Sequence, residues 1–166
     1  MTVREIQPDD PLYPAMLRRF PSTARYIADP KDHGEYHIFA AVDPEHGVVG
    51  GAVIDVGAMG FGPLAAMTVG FLENIEVNEA FRRRGIGTRL LRAALDYAWG
   101  RGARNVRWTV DWANTAGVAF YASCGVAIIP EGDSPDRPET CYTLVAVNPY
   151  RLTEGYGRAA GEPPPA

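Results

Sequence analysis

Between residues 77 and 88 the chain reads Val77-Asn78-Glu79-Ala80-Phe81-Arg82-Arg83-Arg84-Gly85-Ile86-Gly87-Thr88. Three consecutive arginines and two close glycines stand where a strand pattern gives way to a helical one. A helix start offers backbone N–H groups with no internal partner, at the positive end of the helix dipole. Glycines let an anion approach those groups closely, and arginines add charge-assisted contacts. A pyrophosphate is the natural ligand of such a cradle. The segment is not a P-loop, because no Gly-Lys-Ser/Thr follows the glycines. It is not the dinucleotide fingerprint either, which has a third glycine further on. The competing reading is a solvated basic surface, which the dipole would mildly disfavour.

Other residues carry acid–base chemistry. The strand Phe71-Leu72-Glu73-Asn74-Ile75-Glu76-Val77 holds two carboxylates, and alternation puts Glu73 and Glu76 on opposite faces. By the same alternation Glu73 shares a face with Ile75 and Val77. Tyr121 follows an N-cap signal at Asn114, and Cys124 comes one turn later with no histidine placed to activate it. His33, His37 and His46 are scattered without partners at ligand spacing, so no metal site is expected.

The elements that must position these groups follow from periodicity. Val3 to Ile6 reads as a short strand. Asp10-Pro11 reads as an N-cap and first helical residue of a helix to Phe20, and Ser22 as the cap of a shorter one ending before Pro30. Tyr36–Val42 and Val48–Val56, rich in β-formers and separated by Asp43-Pro44-Glu45-His46-Gly47, form a hairpin. A glycine-rich turn over Gly57–Pro63 leads to a strand over Met67–Val77. From Arg84 to Trp99, Ile86, Leu90, Leu91, Ala94, Leu95 and Ala98 recur at helical spacing, with Gly100 placed to end the helix. Val106, Trp108, Val110 and Trp112 alternate with polar residues as a strand. A short helix runs from Asn114 to Cys124 and stops at Gly125, and Val126–Ile129 and Thr140–Val147 are closing strands.

Composition narrows the classes. A chain of 166 residues holds one domain with an apolar core. The net charge of −4 argues against nucleic-acid binding, and no apolar run is long enough to span a membrane. Two cysteines, Cys124 and Cys141, and a polar N-terminus point to a reducing cytoplasm. The tail 151–166, rich in glycine and proline, is expected to be flexible.

Arg82-x-x-Gly85-x-Gly87, after a valine-ended strand and before Thr88 and a leucine-rich helix, resembles the acyl-CoA-binding motif of the GNAT superfamily of N-acetyltransferases. The segment from Asn114 through Tyr121 to Gly125-Val126 resembles that family's second signature. The likeness covers residues 36 to 147 well and the N-terminal helices more loosely. Arg83 stands where the family often has glycine, Gly117 where it often has alanine, and Val126 where it usually has phenylalanine.

The resemblance implies a fold, a donor and a set of roles. The fold is an α/β domain of α+β type over residues 1–150, a mixed, mostly antiparallel sheet of about seven strands with four helices, splayed between strands four and five. The donor is acetyl-CoA, with pyrophosphate on Arg82, Arg83, Arg84, Gly85, Ile86, Gly87 and Thr88, and pantetheine along Ile75, Val77 and Asn114. Tyr121 is the implied acid for the departing sulfur and also lines the cofactor site. Glu73 is the first choice of base; a bulge in the fourth strand would flip parity, and Glu76 stands in reserve. Tyr26 and Trp112 are implied acceptor contacts. The expected reaction is direct acetyl transfer to a primary amine of a small molecule. A protein or peptide acceptor, or an acyl-CoA sensor without catalysis, are the alternatives. The apolar stretch from Gly57 to Met67 is either an acceptor wall or a homodimer face.

Overall fold

The computed structural model describes residues 1–23, 35–58, 67–129 and 141–150. Tyr26, most of the apolar stretch from Gly57 to Met67, and the tail 151–166 lie outside those residues.

The elements in chain order are β1 (Thr2–Ile6), α1 (Tyr13–Arg19), β2 (Glu35–Asp43), β3 (Gly47–Ala58), β4 (Thr68–Val77), a 3-10 turn (Glu79–Phe81), α2 (Ile86–Gly100), β5 (Asn105–Asp111), α3 (Thr115–Ser123), β6 (Ala127–Ile129) and β7 (Cys141–Val147). Residues 21–23 are also helical, at the edge of the described segment. The seven strands form one sheet in the order β1-β2-β3-β4-β5-β7-β6. Every neighbouring pair is antiparallel except β4 and β5, which run parallel. This is the mixed sheet expected from the sequence.

Helix faces and strand faces meet in two cores. The stripe Ile86, Leu90, Leu91, Ala94 and Ala98 of α2 packs on Ile54, Leu72, Val106 and Trp108. On the opposite face Met16 and Phe20 cover Ile6, Ile38 and Val53. Leu90 is wholly buried, so truncation to alanine would cost about 2–5 kcal/mol. A third link is polar: His37 Nδ1 lies 2.8 Å from Glu5 Oε1, and Nε2 lies 2.7 Å from the Tyr97 hydroxyl, joining β1, β2 and α2.

Element ends differ from the sequence reading at Asp10, Ser22, Gly100 and Trp112: Ser22 is already helical rather than a cap, and β5 stops at Asp111. Asp10 does not start α1; its carboxylate accepts the Leu12 N–H at 2.9 Å and pairs with Arg4, so residues 8–12 turn first and the helix begins at Tyr13. Gly100 stays helical, and Gly102 (φ 84°) takes the left-handed position instead. Ala103 N–H then returns to the Ala98 carbonyl at 2.9 Å, closing a Schellman motif. Gly125 (φ 75°) ends α3 in the same way, with Val126 N–H on the Tyr121 carbonyl.

One irregularity positions the site. Strands β4 and β5 pair only at Gly70↔Val106 and Phe71↔Arg107, and then separate. From residue 72 onward the β4 edge that faces β5 has no strand partner among the described residues, while its other edge stays paired with β3.

Candidate acyl-CoA cleft

The parting of β4 from β5 opens a cleft of about 740 Å³, a size common for small-molecule sites. One wall is β4, with Leu72, Glu73, Asn74, Ile75 and Val77. The opposite wall is β5 and α3, with Trp108, Val110, Asn114, Phe120 and Tyr121. The loop before α2 closes one end, through Arg82, Arg83, Gly85, Gly87 and Thr88.

That loop has the backbone of an anion cradle. Arg83 (φ 61°) and Gly85 (φ 74°) are left-handed on either side of Arg84, an alternation that gathers successive N–H groups into one concavity. Gly85 is the N-cap of α2 and makes no side-chain cap, so the first N–H groups of the helix stay available. A Cβ on Gly87 would meet the Phe120 ring at 3.3 Å, so glycine lets α2 and α3 approach here. The loop is anchored to the strand by Arg82, whose Nε donates to the Val77 carbonyl at 3.1 Å. Arg84 does not line the cleft; its guanidinium lies over the Phe81 ring, 5.2 Å from the centroid. The cradle fits a pyrophosphate: backbone donors, two cleft-lining arginines and no carboxylate among the lining residues 81–88.

The β4 wall carries a bulge. Val53 pairs with Asn74 and Ile54 with Leu72, so Glu73 is the extra residue. Simple alternation therefore fails: Leu72, not Glu73, shares a face with Ile75 and Val77 through their partners Ile54, Ala52 and Gly50. Glu73 nevertheless lines the cleft, because the bulge turns it there. Glu76 pairs with Gly51 on the α1 side and does not line it.

Tyr121 is buried on the α3 wall, 7% exposed, with its ring edge-on to Trp108 at 5.3 Å between centroids. Burial pushes its phenol up to about 12; the nearby Trp108 N–H offsets this in part, and Cys124 reinforces it. Trp108 Nε1 is buried and completes no hydrogen bond. Cys124 is half-buried, 4.0 Å from the Thr88 hydroxyl, outside the cleft lining. Asn114 caps α3 by accepting the Gly117 N–H at 2.9 Å, and also lines the cleft.

The acetyltransferase (GNAT) family profile matches residues 2–126. The chain belongs to the GNAT acetyltransferase family. Solved GNAT-like structures share its fold at low identity. A Klebsiella pneumoniae protein described as an acyl-CoA N-acyltransferase superposes with a TM-score of 0.65 at 17% identity, covering 88% of this chain and 96% of that one. Arabidopsis thaliana NAA60 in complex with acetyl-CoA gives 0.63 at 18% identity, covering 88% and 98%. An aminoglycoside acetyltransferase from a soil metagenome, in complex with trehalose, gives 0.59 at 18% identity, covering 74% and 86%.

Within this GNAT fold the cleft brings together most of the residues singled out from the sequence: Ile75, Val77, Arg82, Arg83, Gly85, Ile86, Gly87, Thr88, Asn114, Tyr121 and Glu73. It leaves out Glu76, Arg84 and Trp112. Trp112 is 43% exposed beside Tyr142. Phe120, Asn74 and Leu72 also line the cleft and carried no signal in the sequence. Phe120 is one more apolar residue in a short helix, and Asn74 has its side-chain amide on the Thr23 hydroxyl at 3.3 Å. Among the described residues no group of three His, Cys, Asp or Glu side chains can hold a metal, and no helix is long and apolar enough to cross a membrane.

Proposed function

We propose that this GNAT chain moves an acetyl group from acetyl-CoA to a primary amine of a small molecule by direct attack. The observation that carries the reading is the splayed β4–β5 cleft, with an anion cradle at one end and Glu73 and Tyr121 on facing walls. Pyrophosphate sits on the N–H groups of residues 83–88, between Arg82 and Arg83. The pantetheine amides pair with the β4 edge at Ile75 and Val77, which β5 leaves open.

Glu73 takes a proton from the acceptor ammonium, directly or through water. The free amine attacks the thioester carbonyl carbon, forming the C–N bond. Collapse of the tetrahedral adduct breaks the C–S bond, the departing thiolate takes the Tyr121 proton, and the second proton of the attacking nitrogen returns to the phenolate, directly or through water. In this reading Glu73 rather than Glu76 is the base, because only Glu73 lines the cleft. Tyr26 and Trp112 are acceptor contacts; Trp112→Ala should then raise the KM of the amine and leave that of acetyl-CoA unchanged.

The test is thiol release from acetyl-CoA across panels of small amines and of peptides with free N-termini. Turnover that is fastest with a small amine supports the proposal. Turnover confined to peptides moves the acceptor class to protein or peptide ends. Acetyl-CoA binding without turnover on either panel would make the chain a sensor.

A further inference from the structure

Trp108 is the first residue of β5 beyond the last pair with β4, so its side chain stands where the cleft begins. It is 7% exposed, and its Nε1 is buried without a hydrogen-bond partner. Buried indole N–H groups normally find a partner, because leaving one unmade is costly. The Tyr121 ring meets the indole edge-on at 5.3 Å between centroids, and the indole N–H acts on its phenol.

We propose that Trp108 is a positioning residue for the acid step, its N–H held ready to bond the Tyr121 oxygen once that oxygen has given its proton to the CoA thiolate. This rests on the acetyltransferase reading above for its catalytic consequence. A neutral phenol oxygen shut away from water is an indifferent acceptor, whereas a phenolate makes a shorter, stronger, charge-assisted bond. A donor fixed where negative charge develops lowers the barrier without reorganising anything at that moment. Burial makes the Tyr121 phenol a weak acid toward a thiolate, with Cys124 reinforcing it, and the indole N–H pulls the other way. The orphaned donor in the resting protein and the phenolate in the reaction thus complete each other.

The test uses Trp108→Phe, which keeps a ring in place and removes the N–H. The expected result is a kcat lower by about 10–30-fold, with acetyl-CoA KM and Kd within about 3-fold of wild type. Replacing Tyr121 by 3,5-difluorotyrosine, a stronger acid, should then restore kcat to within about 3-fold of the difluorotyrosine enzyme that retains Trp108. A packing role would not respond to the acidity of residue 121. Failure of that rescue, or a loss carried by acetyl-CoA binding, overturns the proposal.

If no amine turns over, the acetyltransferase reading has failed, and the contact is read from the indole ¹⁵N–¹H spectrum instead. The Trp108 cross-peak should move in Tyr121→Phe and again in the difluorotyrosine protein. A stationary peak overturns the proposal. The same spectrum serves if Trp108→Phe does not fold.

Discussion

The Asn114 side-chain oxygen accepts the Gly117 N–H at 2.9 Å, and a Cβ on Gly117 would lie 2.6 Å from the same side chain. The cap and the glycine therefore depend on one another. An N-cap asparagine is worth about 1 kcal/mol, and glycine inside a helix costs at most about as much relative to alanine. Gly117→Ala should force Asn114 out of its cap and lower stability by up to about 1 kcal/mol. In an Asn114→Ala background the cap is already gone, so the same change should stabilise. Thermal unfolding of the four proteins measures the sign. Equal effects in both backgrounds would show that the two residues are independent.

The two glycines of the cradle serve different ends and should fail differently. Gly85 needs its left-handed φ, and a Cβ there would meet nothing within 4 Å. Gly85→Ala should cost about 1–2 kcal/mol of stability and weaken acetyl-CoA binding only modestly. Gly87 is right-handed but faces Phe120 at 3.3 Å. Gly87→Leu should keep the fold and weaken acetyl-CoA binding by more than about 10-fold, because the side chain wedges α2 from α3 at the cradle. Calorimetric titration beside thermal unfolding separates the two.

How much of this was legible in the sequence depends on how local each feature is. The Arg-Gly loop, the Asn114 cap and the Gly125 stop are written in adjacent residues, and all are found in the structure. The place of Glu73 on the cleft wall was not readable by alternation, because the bulge exists only relative to Val53 and Ile54 on another strand. The choice of Gly102 over Gly100 for the end of α2 rests on where Ala103 is buried. The Trp108–Tyr121 contact needs α3 seated on β5, which no spacing within either element encodes.

The bulge makes a kinetic prediction about the base. Glu73→Gln should lower kcat/KM for the amine by about 10–100-fold at pH 7, and Glu76→Gln by less than about 3-fold. Steady-state rates of thiol release measure both. The reverse ranking would transfer the base to Glu76.

The pH profile tests the acid. Burial raises the Tyr121 phenol to about 12, so the protonated acid persists across the working range. The rate should climb with pH as the acceptor amine loses its proton, with no falling limb before about pH 10.5. The sign for stability follows from the same shift. The folded protein holds this proton more tightly than the unfolded chain, so Tyr121 contributes a loss of stability only as pH rises from about 10 toward 12. Below that range Tyr121→Phe should leave the pH dependence of unfolding unchanged. A falling limb near pH 8 would remove Tyr121 from the acid role.

The most direct test of the central claim is calorimetric titration of acetyl-CoA into the wild-type chain. A single site of micromolar Kd, weakened more than about 10-fold in Gly87→Leu and retained in Tyr121→Phe, is the predicted result. No heat from acetyl-CoA, free CoA or a longer acyl-CoA at millimolar concentration would contradict it, and the splayed cleft would not be an acyl-CoA site.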